Sequence, residues 1–300
     1  IDEARRALHA VGVRLKFEGD NIAEQAAEAA IRVAAAVMAT EMGRELAHRG
    51  DDVRDYSLLA FGGAGPTHAN LIADEASIGT VVVPGVPATF CALGAILADV
   101  KRDYVASRRI DVGDSTTETL KRGFAELEEE ARAWIAGEGE FLDEIGYEHI
   151  LDMRYIGQGF DLQVLLPYGM RDTLGPEELT ALFHEWHDAS YGYRDTDSRV
   201  IVTAQRVRVI GRMPELAFPA LTPEDASPTP IDRRRVFHAG RFLDAPVYDR
   251  TGLPCGRAVA GPAVVEQGDT TIWVLPEWTF TVDTIGNLVL RAADATSGTA

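Results

Sequence analysis

The stretch Phe61-Gly-Gly-Ala-Gly-Pro-Thr-His68 constrains this chain more than any other. An apolar run over 56–61 leads into it. Helical spacing follows over 67–76, and then a second apolar run, Thr80-Val-Val-Val-Pro84. Apolar runs this short fit buried strands. Strand, glycine-rich turn, helix and strand together predict a βαβ unit with a parallel pair. Glycines after a buried strand let the backbone pass close to a ligand, because no Cβ intervenes. The free N–H groups and dipole at the start of the next helix attract anions. The turn thus reads as a nucleotide cradle at the C-terminal edge of a parallel sheet. The plainer reading is a tight strand-to-helix turn that needs small residues. The spacing is neither GxGxxG nor a P-loop, and no GK[ST] occurs.

The flanking sequence sets the organisation. Asn21 and Glu24 have capping-box spacing ahead of an Ala-rich helix over 22–48, which Gly50 ends. Ala27, Ile31, Ala34, Met38 and Met42 predict its buried face. Gly79 sits where the C-cap of the helix over 67–76 belongs, and Pro87 opens a further helix to about residue 98. From 104 to 212 the order strand, helix, strand, strand, helix, strand matches a ferredoxin-like βαββαβ unit. Residues 213–235 hold five of the fourteen prolines and read as a linker or an extended surface crossing. Over 236–300, short strand-like runs alternate with Gly and Asp turn signals, as in a small all-β unit. The expected class is α/β and α+β, with boundaries at 1–103, 104–212, 213–235 and 236–300.

A net charge of −18 argues against a nucleic-acid-binding surface, since the one basic cluster is Arg233–Arg235. The longest nearly apolar run, over 86–98, is broken by Pro87 and Gly94 and is too short to span a membrane. Two cysteines far apart give no disulfide framework, so a reducing, cytoplasmic setting is expected. The chain opens on Ile1 rather than Met, which fits the C-terminal piece of a longer protein.

Leu58-Leu-Ala-Phe-Gly-Gly-Ala-Gly-Pro-Thr-His-Ala69 resembles the FGGAGP-x-HA signature of the hydantoinase A/5-oxoprolinase family. Further stretches are similar in the same order: Met38-Ala39, Arg49-Gly50, Val81-Val-Val-Pro84, Pro87, Ala92-Leu-Gly94, Asp152-Met-Arg-Tyr-Ile-Gly-Gln158, Gly261-Pro-Ala-Val-Val-Glu266 and Asp283-Thr-Ile-Gly-Asn-Leu288. Cys91 stands where the family has a serine. The resemblance implies an actin-like (acetate kinase/Hsp70/actin, RNase-H-like) ATPase fold. Gly62, Gly63, Ala64, Gly65 and Pro66 would then approach the adenosine and its α-phosphate. It implies ATP with Mg2+, a hydantoinase B-like partner subunit, and ATP-driven opening of a cyclic amide such as a hydantoin, 5-oxoproline or lactam. Carboxylation of a ketone is a variant within the family. The family's first phosphate loop, Asp-x-Gly-Gly-Thr, is missing, so the other half of the ATP cleft and the Mg2+ ligands are expected outside this chain. In isolation the chain would be a non-catalytic binding or assembly module.

Other residues are weighed against plainer roles. His68 contacts a ligand or braces the turn. Glu41 and Arg44, on the polar side of the long helix, touch ribose or adenine or are solvated charges. Arg154 and Gln158 mark a substrate site or interface, or fix a tight hairpin. His184, His187 and Asp188 share a helix face that could bind a metal, though a mixed His/acid surface is common. Asp111-Val-Gly-Asp-Ser115 approaches the missing loop, but Asp114 replaces a glycine, and a helix-capping turn is the simpler reading. Glu128 and Arg132 read as an ion pair on a solvated helix face, and Cys91 as a buried small hydrophobe. No residue is assigned a catalytic role, and no metal ligand is assigned.

Overall fold

The computed structural model of the 300-residue chain describes residues 1–138 and 142–293. It divides into two compact units, one of residues 1–94 with the segment from Ala217 onward, the other Ala95–Leu216. The chain opens with α1 (Asp2–Arg14), which the sequence reading lacked, and α2 (Ile22–Ala47). Asn21 makes no side-chain cap at α2. Glu24 instead accepts from Arg5 of α1 at 2.8 Å, so the expected capping box is replaced by a contact between helices. The buried face of α2 is Ala23, Ala26, Ala35 and Ala39, while Ile31 and Met38 are exposed. Small alanines permit close packing, and they displace the larger side chains from the face the spacing predicted.

Next come β1 (Leu58–Leu59), α3 (Gly65–Ala76), β2 (Thr80–Val83) and α4 (Phe90–Leu97). β1 and β2 pair in parallel, Leu58 with Val81 and Leu59 with Val82, so the βαβ unit is present. α3 ends on Ser77 in the left-handed region, not on Gly79.

The second unit runs β3 (Val100–Asp111), α5 (Thr116–Glu138), β4 (Glu144–Tyr155), β5 (Leu162–Leu165), α6 (Pro176–Tyr191) and β6 (Val200–Arg212). The expected element order is there, but the ferredoxin-like arrangement is not. The sheet is antiparallel, and each helix joins strands that flank a third, as in a split βαβ. But the order β3-β6-β4-β5 puts the second and fourth strands at the centre, where a ferredoxin-like sheet has the first and third. One face packs on α5 and α6 around Phe124, Leu151, Met153, Phe183 and Val207. On the other, Arg206 and Arg208 of β6 clamp Asp103 of β3, and they hold its carboxyl below the usual range.

From Ala217 the chain crosses in extended form to β7 (Asp232–His238). Backbone bonds pin the crossing, Leu221 to Thr284 and Glu224 to Cys255. β8 (Arg241–Asp249), β9 (Val259–Ala260), β10 (Ala263–Gln267), β11 (Thr270–Val274), β12 (Trp278–Val282) and β13 (Leu288–Ala292) follow. These strands are not a separate unit over 236–300. β13 pairs antiparallel with β2, so β1-β2-β13-β12-β9 is one sheet; β11-β10-β8-β7 is a second. A single core holds Ala69, Val81 and Val83 together with Val247, Ile272, Phe280 and Leu290. Fully burying a side chain of this size contributes about 1.5–3 kcal/mol. The two-residue β1 and four-residue β2 have too little apolar surface alone, and the C-terminal strands supply the rest.

Candidate functional site

The glycine turn stands at the C-terminal edge of the β1/β2 pair. Gly62 has φ +84°, a left-handed conformation that a side chain would strain. Its N–H donates to the Pro87 carbonyl at 2.7 Å, which ties the turn to the loop after β2. Thr270 Oγ donates to the Gly63 carbonyl at 2.8 Å, and Thr67 Oγ to that of Thr271 at 2.7 Å. The turn is therefore docked on the β10–β11 hairpin, over two hundred residues away in sequence. Gln267 Nε2 donates to the Gly85 carbonyl at 3.0 Å. Buried Arg250 donates to Val83 and Gly286 carbonyls at 2.9 and 3.0 Å. Burial pulls the Arg250 guanidinium down to about 10, against the pull of Asp269 and Asp283.

Gly63 and Ala64 face solvent, and Pro66 is buried at the start of α3. A Cβ on Gly63 would meet nothing nearer than the Asp269 carbonyl at 3.7 Å, and one on Gly65 nothing within 4 Å. The fold does not require glycine there for space. What those two glycines leave is bare backbone open to an approaching group, beside a helix N-terminus that favours anions. The residues present fit the phosphate-proximal part of a nucleotide. Among the described residues no group of three or more His, Cys, Asp or Glu side chains is placed to hold a metal ion.

His68 lies in the first turns of α3, half-buried, with its Nδ1 buried and unpartnered. It opens into a cavity of about 280 Å3 shared with Glu28, Thr67, Leu71, Phe237 and Trp273. Arg44 is elsewhere. It pairs with Glu41 near the C-terminal end of α2, twelve positions beyond Arg32, or about 18 Å along the helix axis. α2 runs down into β1, so its N-terminal half is the part beside the glycine turn. Glu28, Ile31 and Arg32 are thus the α2 residues that share the His68 cavity. The direction of the chain, helix then strand, was the sequence signal that would have identified them. Cys91 is exposed on α4, beside Phe90, whose ring packs on Phe61 at 5.4 Å.

Arg154 and Gln158 belong to the second unit and do not converge. Arg154 pairs with Asp161 at 3.6 Å. Gln158 turns inward: its Oε1 accepts from Tyr155 N, and its Nε2 donates to His187 Nε2 at 3.2 Å. His187 is fully buried, and its Nδ1 donates to the Tyr193 carbonyl at 2.8 Å. His184 Nδ1 pairs with the Tyr155 hydroxyl at 2.7 Å, and burial lowers its pKa. Both histidines are therefore engaged in packing an aromatic cluster, with His187 filled on both ring nitrogens, rather than presenting a metal-binding face. Asp111–Ser115 forms the connection from β3 to α5, in the second unit. Glu128 keeps its pair with Arg132 at 2.7 Å, but it is buried, where a solvated face was expected, and it also binds His149 and Arg171.

Comparison with known proteins follows this layout. The hydantoinase/oxoprolinase model matches residues 1–104, and the hydantoinase/oxoprolinase C-terminal domain model matches residues 110–293. The chain belongs to the hydantoinase/oxoprolinase family. It is 31% identical over 269 residues to the caprolactamase subunit alpha of Pseudomonas jessenii, covering 87% of this chain and 38% of that one. The crystal structure of the ATP-dependent caprolactamase from that organism matches with TM-score 0.63 and 28% identity, over 90% of this chain and 40% of that one. A nucleotide-free acetone carboxylase structure shares the fold with TM-score 0.82 at 24% identity, over 96% of this chain and 42% of that one. This hydantoinase/oxoprolinase chain thus spans about two fifths of these three relatives' length. No described helix is long and apolar enough to cross a membrane.

Proposed function

We propose that this chain is the nucleotide-contacting C-terminal portion of an ATP-dependent subunit that activates a cyclic amide for ring opening. The observation that carries the reading is the glycine turn. Exposed Gly63 and half-buried Gly65, where a Cβ would meet nothing nearer than 3.7 Å, stand at the C-terminal edge of a parallel pair and at a helix N-terminus. Open α/β sheets bind ligands at this edge. In this reading Gly62–Pro66 approach the adenosine and α-phosphate, in an actin-like half-cleft. The second half, the Mg2+ ligands and a hydantoinase B-like subunit come from outside the chain. ATP supplies a phosphoryl group that activates the amide oxygen. This chain's part is to hold the nucleotide's near end by backbone N–H groups and keep its position fixed through Thr67, Thr270 and Gly62.

Support for a hydrolase comes from the sequence likeness to the caprolactamase subunit. Ketone carboxylation is the second reading, supported by 27% sequence identity over 244 residues to the acetone carboxylase beta subunit of Xanthobacter autotrophicus. The test is nucleotide turnover by the complete protein with its partner. ADP release stimulated by lactams supports amide opening. Release stimulated by ketone plus bicarbonate supports carboxylation. Failure to bind or turn over ATP overturns both.

A further inference from the structure

Three hydrogen bonds fasten the glycine turn and leave a gap between them. The Gly62 N–H is held by the Pro87 carbonyl at 2.7 Å, the Gly63 carbonyl by Thr270 Oγ at 2.8 Å, and Thr67 Oγ by the Thr271 carbonyl at 2.7 Å. Among the described residues nothing accepts from the Ala64 N–H. The Thr270 bond nevertheless sets where that N–H points. Gly63–Ala64 is a trans peptide, so its C=O and N–H point opposite ways in one plane. Thr270 is buried at the tip of the β10–β11 hairpin and draws the carbonyl inward. The Ala64 N–H therefore points away from the hairpin, to the exposed side of the turn.

Glycine at 63 makes such a hold necessary. With no Cβ its backbone turns freely, so an unheld Gly63–Ala64 peptide can flip. A flip would place a carbonyl oxygen where the N–H stood, and that oxygen repels an anion. Gly63 thus permits close approach but leaves the peptide loose. The hydroxyl that removes the looseness lies 207 positions later in the chain.

We infer that Thr270 is a positioning residue: its hydroxyl holds the Gly63 carbonyl so that the Ala64 N–H is aimed at a phosphate oxygen of the nucleotide. The inference rests on the reading of the turn as a nucleotide site. It adds the atom that meets the phosphate, the residue that orients it, and a direct part for the C-terminal hairpin in that site.

The experiment measures ATP and adenosine affinity by calorimetry in the complete protein, for the parent, Thr270→Val and Thr270→Ser. Thr270→Val keeps the shape of the side chain and removes the donor. It should lose about fivefold in ATP affinity, the size of one net hydrogen bond. Thr270→Ser keeps the hydroxyl and should bind ATP like the parent. Adenosine has no phosphate to meet the Ala64 N–H, so it should bind the parent and the Val variant equally, down to equally not at all. Thr270→Ala also lacks the hydroxyl and replaces Val if that variant does not fold. The inference is overturned if the Val variant binds ATP like the parent, if Ser does not restore affinity, or if adenosine weakens in step with ATP. Unchanged ATP affinity in Thr270→Val beside a loss in Gly63→Ala removes the role of Thr270 alone. A parent that binds no ATP overturns the nucleotide reading and this inference with it.

Discussion

Arg250 donates from Nη2 to the Val83 carbonyl at 2.9 Å, across 167 positions of sequence. That bond and its partner to Gly286 fix the end of β2, from which the loop to Pro87 reaches back to hold Gly62. Hydrogen bonds from a charged group are worth about 1.5–3 kcal/mol each. The burial that pulls this guanidinium down to about 10 offsets part of the gain. Arg250→Met is therefore expected to lose about 1–3 kcal/mol in urea unfolding. A variant as stable as the parent would show that the clamp contributes nothing.

Glu128 supplies a pH test. Burial pushes its carboxyl up, but hydrogen bonds from His149 and Arg171 and their charges outweigh it, and the net direction is down from 4.5. Its stabilising share is thus present above 4.5 and is lost as pH falls through the lower folded value. Glu128→Gln should cost about 1–3 kcal/mol at pH 7, since it removes the charged acceptor shared by His149, Arg132 and Arg171, although Arg171 keeps Asp172. The gap to the parent should narrow steadily below pH 4.5. Denaturant midpoints across that range check both the size and the sign.

A double substitution tests the packing of α5 on β6. A Cβ on Gly123 would fall 2.1 Å from Oε1 of the fully buried Gln205, whose Nε2 donates to the Leu120 carbonyl at 2.8 Å. Gly123→Ala should break that bond and lose about 1–2 kcal/mol despite better helix propensity. With Gln205→Ala already in place, the same change should instead gain about 1 kcal/mol. Thermal melts of the four combinations measure the reversal.

The two cysteines should react very differently. Cys91 is exposed, while Cys255 is buried with its Sγ 3.5 Å from the Asp283 carbonyl. Native protein should consume one equivalent of a disulfide reagent quickly and the second only on unfolding. Two fast equivalents would mean that β9–β13 open readily around Cys255.

Local punctuation made much of this fold legible. The glycine turn between two valine- and leucine-rich runs specified the βαβ unit, because glycine and proline fix where strands and helices stop. Pro176 likewise marked the start of α6 at its observed position. Pairing over long distances was not legible. Leu290 joins Val81, and Tyr104 joins Val207, by contacts that no local period records. That is why the C-terminal strands read as a separate unit and the second sheet as ferredoxin-like. At the site, the turn and His68 were readable from residue type. Arg44 stands near the opposite end of α2 from the His68 cavity, a placement not readable from periodicity, which finds the polar face of a helix but not which end meets the turn. Glu128 looked solvated because its half-buried partners, His149 and Arg171, come from later segments.

The central claim is that bare backbone at Gly63 meets a nucleotide. Gly62→Ala is the fold control, expected to destabilise by about 1 kcal/mol or more at φ +84°. Gly63→Ala has room for its methyl and should melt like the parent. The decisive measurement is ATP affinity of the complete protein carrying Gly63→Ala. A loss of tenfold or more at unchanged melting temperature is the predicted result. Unchanged affinity would contradict the account.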